Sequence, residues 1–327
     1  MQYSTFAAID IGSYDVILEI FEISKKQGIR SVDKICHRME LGKDTYTLGK
    51  IRPEMEEELC RVLADFVRIM EGYRVDDYRA TASSAISEAS NSLYVLGKIH
   101  QLTGLSVTVL SNSEQRFLSY KALAAMEDNF NKIIEKGTAI LDLDGGSFQI
   151  SLFDKDALVT TQNIRMGSLR IRERLAGIQS ETEHYEEMVE ELIWNEVSSF
   201  KKMYLKDRKI ENIMLIGDVF TDSVYQNIEE KTTKIISREN FNTWYEKIIR
   251  QSPMELAVKL GIPLENASLM YPSAVIYKCL IDMMGAEHIW IPGVHMTRGI
   301  AYEYAEQMKL QKGSHNFEND ILMAAKN

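Results

Sequence analysis

The chain has 327 residues, 45% of them apolar and 26% charged, and a net charge of -10. That length allows two domains, and the composition is that of an ordinary soluble globular protein. The acidic balance excludes nucleic-acid binding through a general positive field, and no apolar run approaches the ~20 residues needed to span a bilayer.

In chain order, Phe6-Ala-Ala-Ile-Asp-Ile-Gly-Ser13 is a short apolar run ending in Asp, Gly and Ser, and Val16–Phe21 alternates after it. The pattern predicts a β-hairpin with a turn of small residues. Residues 5–48 read as a β-meander, with Met39–Gly42 and Leu48–Gly49 bounding a loop that holds Lys43 and Asp44. Pro53 opens a helix whose apolar face is Met55, Leu59, Val62, Leu63 and Phe66. Tyr78–Ala82 predicts a strand leading into Ser83-Ser84, and a helix follows with Asn91 as its N-cap. Thr103-Gly104 breaks that helix, Leu105–Leu110 alternates as a strand, and Ser113 caps the next helix through Met126.

The second half repeats the order. Ala139-Ile-Leu-Asp-Leu-Asp-Gly-Gly-Ser147 and Gln149–Phe153 form a second hairpin, Leu158–Arg165 another strand, and Met166-Gly167-Ser168 a turn. Acidic helices run over 181–204, with the Glu181–Glu191 run read as a solvated face. Ile213–Gly217 is a buried strand, Ser252-Pro253 and Gly261-Ile-Pro263 punctuate helices, and Met270–Ser273 begins another. Ile289–Pro292 is the last strand, Thr297 opens a C-terminal helix, and the tail after Lys312 is polar and frayed.

The two Asp–turn–strand stretches lie about 130 residues apart and share one grammar. Small turn residues let backbone N–H groups approach an anion, and an Asp ending a buried strand can hold a hydrated metal ion beside it. The pattern predicts a duplicated domain with phosphate held between two α/β lobes across a cleft. The lobes are expected at 1–124 and 125–299, with a helix over 300–327 packing back on the first. Cys36, Cys60 and Cys279 have no paired spacing and read as reduced core thiols of a cytoplasmic protein. MQYSTFAAID has no basic region ahead of an apolar stretch, so no signal peptide is expected. The six histidines show no metal-ligand spacing, and the 16 methionines read as core filler.

At these residues the chain resembles the exopolyphosphatase/guanosine pentaphosphate phosphohydrolase (Ppx/GppA) family of the sugar kinase, heat-shock and actin superfamily, over about residues 5–305. The family's first phosphate loop corresponds to Asp10-Ile11-Gly12-Ser13-Tyr14-Asp15. A central signature corresponds to Ser83–Asn91, a third motif to Thr103–Gln115, and the second phosphate loop to Asp142-Leu143-Asp144-Gly145-Gly146-Ser147-Phe148-Gln149. Met166-Gly167 falls on a family Met-Gly pair. The resemblance implies a two-lobed actin-like fold with duplicated ribonuclease-H-like domains. It also implies a cytoplasmic, Mg²⁺-dependent phosphatase, commonly dimeric, acting on polyphosphate or a guanosine nucleotide, with no membrane or general nucleic-acid partner. By the same correspondence Gly12, Ser13, Gly145, Gly146 and Ser147 bind phosphate, and Asp10 and Asp142 stand on the metal side.

The departures from the family fall on the site. The family's general base falls at Gln115, where an amide orients water but takes no proton; one residue away, Glu114 is the alternative base. The family's phosphate-binding Arg is Ser87 here, its loop Gly is Asp144, and Phe148-Gln149 replaces Thr-Glu. Tyr14-Asp15 replaces Asn-Ser. Loss of the base alone is expected to cost on the order of 10²–10⁴ in rate. Three readings follow: a phosphohydrolase with weak activity, a relative that binds a nucleotide or phosphate without turnover, and a pseudoenzyme that works through a protein partner. Arg165 and Arg170 are candidates to replace the missing Arg, Lys43 is placed to reach the mouth of the cleft, and Arg298 reads as structural.

Overall fold

The computed structural model describes residues 4–24, 28–126, 130–176, 185–206, 208–217, 219–226 and 234–308. The tail after Lys312 and the start of the acidic run at Glu181 lie outside them.

Strand β1 (Ser4–Ile11) pairs antiparallel with β2 (Asp15–Ser24), and β2 with β3 (Gly28–Arg38). Next come α1 (Leu41–Leu48), α2 (Pro53–Gly72), β4 (Asp77–Ala82), the short α3 (Ser84–Ser87), α4 (Ser92–Thr103), β5 (Val107–Val109) and α5 (Asn112–Met126). β4 lies parallel to β1 and β5 parallel to β4, so the sheet reads β3-β2-β1-β4-β5.

The second sheet repeats this plan. After α6 (Phe130–Ile134) come β6 (Thr138–Leu143), β7 (Phe148–Asp154), β8 (Ala157–Ile164), α7 (Ser168–Leu175) and α8 (Tyr185–Phe200), which continues as a π-helical turn over Lys201–Leu205. Then follow β9 (Asn212–Ile216), α9 (Val219–Gln226), β10 (Lys234–Ser237), α10 (Arg238–Ile249), α11 (Pro253–Leu260), α12 (Leu264–Met284) and β11 (His288–Ile291). Read as β8-β7-β6-β9-β11, the order and directions match those of the first sheet, with β10 added antiparallel at one edge. Helix α13 (Met296–Gln307) ends the described chain. The chain divides into two compact units, one drawn from Met1–Ala125 and the segment from His295, the other from Met126–Val294.

Both faces of the first sheet are buried, as strand alternation requires. Ala7, Ile9, Ile11, Val16, Leu18 and Ile20 pack on α2 and α4 through Leu59, Leu63, Phe66, Val95 and Ile99. Phe6, Ala8, Phe21 and Ile23 face Leu118 of α5 and Ile300, Ala301 and Ala305 of α13. Buried Glu19 lies on this second face and accepts a 2.5 Å hydrogen bond from the Thr297 hydroxyl. In the second unit α8 buries Val189, Ile193, Val197 and Phe200 at helical spacing, and Phe220 lies against Phe241 and Tyr277.

Several local expectations are corrected. The loop over 42–49 is helix α1, held by tertiary bonds: buried Asp44 takes the Arg52 amide at 2.9 Å, and Thr45 Oγ1 donates to Ala85 O at 2.7 Å. Asn91 occupies the cap position of α4 but makes no cap bond; its amide instead brackets Ile51 through N–H and C=O. Ser111, not Ser113, caps α5. α12 begins at Leu264 and carries Pro272 inside it, so the Ser268 carbonyl loses its usual helical donor. Cys60 is a core thiol as expected, while Cys36 is exposed and Cys279 half-buried.

Candidate functional site

Two turns occupy equivalent places in the two sheets. In the first unit the β1–β2 turn closes with Gly12 N–H donating to Asp15 O at 2.9 Å. In the second, Asp144 N–H donates to Ser147 O at the same distance across the β6–β7 turn. Asp10 and Asp142 are each the penultimate residue of the strand entering its turn. Thr81 of β4 donates to Asp10 at 3.3 Å, and Gln149 lies opposite Asp142 in the β6–β7 ladder.

The first turn is tied down by the segment after β3. Gly42 N–H donates to Ser13 O at 2.8 Å and Met39 N–H to Tyr14 O at 3.1 Å. Ser13 is fully buried; its hydroxyl is 2.7 Å from Tyr46 OH, which is 2.8 Å from Ser84 Oγ. Tyr14 and Asp15 are explained together. Asp15 pairs with Arg38 across β2–β3, Arg38 Nη1 donates to its carboxylate at 2.8 Å, and the guanidinium lies 5.7 Å from the centre of the Tyr14 ring.

The second turn is tied down by the start of α7. Ser168 N–H reaches Asp144 O at 3.3 Å, Arg170 N–H reaches Gly145 O at 2.9 Å, and Arg170 Nε reaches Gly146 O at 2.8 Å. A trans peptide points its N–H opposite to its C=O, so the Gly145, Gly146 and Ser147 amides face away from α7. That is a nest of donors suited to an anion. Gly167 makes the approach possible, because a Cβ there would lie 2.3 Å from Asp144 O and 2.4 Å from Gly145 O. Gly145 N–H is, however, already given to the carboxylate of Asp144 at 2.6 Å. Burial pushes that carboxyl up to about 6, helped by the charge of Asp142 and opposed by the Gly145 amide and Arg170. Ser147 Oγ accepts from Asn163 at 3.2 Å, and Phe148 and Gln149 are buried.

The remaining candidates sit in the first unit. Glu114 Oε2 accepts from both the amide and the hydroxyl of Ser111 at 2.7 Å, while Glu114 N–H returns to Ser111 Oγ at 3.3 Å, which is a capping box. These bonds hold its carboxyl below the ordinary value. Gln115 donates its amide to Leu110 O at 3.2 Å. Ser87 is exposed at the end of α3, and Lys43 and Arg165 are exposed. Arg38, which the sequence reading did not single out, bonds to the first turn, and Arg170, which it did, to the second. Arg298 lies 4.0 Å from Glu19, in keeping with a structural role.

Magnesium is commonly held by one or two carboxylates together with substrate phosphates and water. Asp10 and Asp142 fit that use. Around Asp142 the room is made by Gly217, whose φ is +68 and where a Cβ would come 2.9 Å from Asp142 Oδ1. Among the described residues no group of three or more His, Cys, Asp or Glu could hold a metal. Among the described residues, no helix is long and apolar enough to cross a membrane.

Comparison with known proteins gives this geometry a family. The model of the Ppx/GppA phosphatase family matches residues 19–308. The bifunctional 3-dehydroquinate synthase/phosphatase of Fusobacterium nucleatum is 21% identical over 310 residues, 86% of this chain and 44% of that protein. Exopolyphosphatase 1 of Mycobacterium tuberculosis is 24% identical over 144 residues, 44% of this chain and 40% of that protein. The match thus spans less than half the length of these curated relatives. An exopolyphosphatase from Cytophaga hutchinsonii superposes with a TM-score of 0.83 at 16% identity, covering 94% of this chain and 100% of that one. The Ppx/GppA family member of Aquifex aeolicus superposes at 0.75 and 18% identity, covering 95% and 100%. These likenesses establish the duplicated actin-like fold, and with the family match they show that the chain belongs to the Ppx/GppA phosphatase family.

Proposed function

We propose that this chain is a phosphohydrolase that removes the terminal phosphate of a phosphoanhydride chain, polyphosphate or guanosine pentaphosphate, with low turnover. The observation that carries this reading is the repeated turn whose carbonyls are held by the neighbouring segment, leaving its amides turned to the other side. In the second unit the amides of Gly146 and Ser147, and that of Gly145 once Asp144 releases it, bind phosphate oxygens, with Asp142 on the metal side; in the first unit Ser13 takes the same part beside Gly12, whose own N–H closes the turn, with Asp10 on the metal side. Magnesium, when bound, would neutralise charge developing on the transferred phosphate. Glu114 or Gln115 orients the attacking water.

A second reading is favoured by two specific contacts: Glu114 is employed as a helix cap, and Asp144 occupies the Gly145 amide with its own carboxylate. In that reading the chain binds a phosphorylated ligand without turning it over. Orthophosphate release from long-chain polyphosphate and from guanosine pentaphosphate, with and without Mg²⁺, separates the two. Turnover by the wild type supports hydrolysis. No turnover by the wild type, with activity gained in Gln115→Glu, identifies a binding site that lacks its base. Silence in both variants rejects hydrolysis.

A further inference from the structure

The family's phosphate-binding arginine is absent at Ser87, and we propose that Arg38 takes over its work, contacting a phosphate oxygen of a phosphoanhydride ligand at the first turn. The inference rests on the reading that this turn receives phosphate. Three observations carry it. The first is position. Arg38 is the last residue of β3 and pairs in register with Asp15, the first residue after the turn. Its Nη1 is 2.8 Å from one Asp15 oxygen, and the other lies 3.0 Å from where a Cβ on Gly12 would stand. The guanidinium is therefore separated from the turn's glycine by a single carboxylate.

The second is capacity. A guanidinium has five N–H donors. Among the described residues Arg38 gives one hydrogen bond, to Asp15, and its side chain keeps 32% of its surface exposed. The remaining donors are available to a planar or tetrahedral oxyanion, the geometry that arginine matches better than lysine.

The third is charge and order. Asp15 alone would repel a phosphate beside Gly12, and Arg38 offsets it. The same carboxylate, with the Tyr14 ring 5.7 Å from the guanidinium carbon, fixes the side chain in place before a ligand arrives, which lowers the entropy lost on binding. The two departures from the family, Tyr14-Asp15 for Asn-Ser and Ser87 for Arg, are thus one exchange: the cation has moved from the α3 end to the β3 end.

The test is calorimetric binding of tripolyphosphate, without added metal and at low salt, to four full-length proteins: wild type, Asp15→Asn, Arg38→Gln and the double variant. Asp15→Asn is expected to bind several-fold tighter, because a competing charge is gone. Arg38→Gln is expected to bind roughly tenfold weaker, and the double variant to bind weaker than Asp15→Asn by a similar factor. The double variant leaves no lone charge behind, so it separates binding from folding even if Arg38→Gln alone is unstable. Equal affinity of the double variant and Asp15→Asn would show Arg38 to be a counter-ion only, and would overturn the assignment. No binding by a folded wild type would reject the phosphate reading of the turn itself, and Arg38 with it.

Discussion

The two turns share a backbone and differ in their charge. Each closes with the same 2.9 Å bond, and each has its carbonyls held by the segment after the third strand of its sheet. The first turn has an acid at Asp15 with a guanidinium beside it, and buries a hydroxyl within reach of Tyr46. The second turns an acid in on its own amide at Asp144, with Asp142 near enough to oppose ionisation. Peptide geometry is alike in the two turns while their side-chain chemistry differs.

The sharpest way to break the comparison is at the glycines. Gly167→Ala would drive a methyl into the backbone of the second turn, with 2.3 Å to Asp144 O, and should cost about 3 kcal/mol in urea unfolding. Gly12→Ala meets Asp15 at 3.0–3.1 Å and should cost about 1 kcal/mol or less. Equal costs would mean that the segment at Gly167 yields to the methyl and does not hold the second turn closely.

Next in size is Asp144→Gly, which restores the residue expected by family resemblance and frees the Gly145 amide. Tripolyphosphate should bind about tenfold tighter at low salt, and the gain should shrink as salt rises. Unchanged affinity would mean that the second turn does not see the ligand.

The smallest effect concerns the helix after the first sheet. Ser111→Ala should lower stability by about 1 kcal/mol by removing the cap of α5. Glu114→Gln should show how that cap titrates. Its carboxyl is held below the ordinary 4.5 by the Ser111 amide and hydroxyl, so its contribution is in full above that pH. The contribution is lost as pH falls through the lower folded value, and the difference in urea midpoint between wild type and variant should close on acidification. A difference that persists at low pH would show that the carboxylate does not act as a cap.

Much of this was legible in the sequence because it is written locally. The alternating runs at Phe6–Phe21 and Ala139–Phe153, the Asp–Gly–Ser turns and the helix-opening prolines Pro53 and Pro253 lead directly to elements of the fold. Helix α1 was not legible, since its eight residues are too few for a clear apolar stripe and its anchors, Arg52 and Ala85, lie outside it. α7 was hidden for a related reason: its cap Gly167 and its early residues Ser168 and Arg170 fit a turn more than twenty residues earlier in the chain. Four-residue β10 is held by pairing with β11, far along the chain. For the site, Asp15 read only as a departure from the family's loop, because the β2–β3 register that supplies Arg38 is not written in either strand alone. Glu114 read as a base because a capping carboxylate and a catalytic one look the same in a motif.

Helix α13 has a consequence for synthesis. Its Thr297 meets Glu19, its Gly299 lies against the Leu118 carbonyl with no room for a side chain, and its Tyr304 ring stacks on Phe6 at 4.0 Å. Every one of those partners leaves the ribosome well over a hundred residues before α13 does. Until then the face of the first sheet that carries Phe6, Phe21 and Ile23 has no helix α13 to cover it. Among the described residues, the second unit is drawn from the single stretch Met126–Val294. The first sheet thus waits for its last helix, and the exposed Phe6–Phe21 face is where a nascent chain would be held by a chaperone or begin to aggregate.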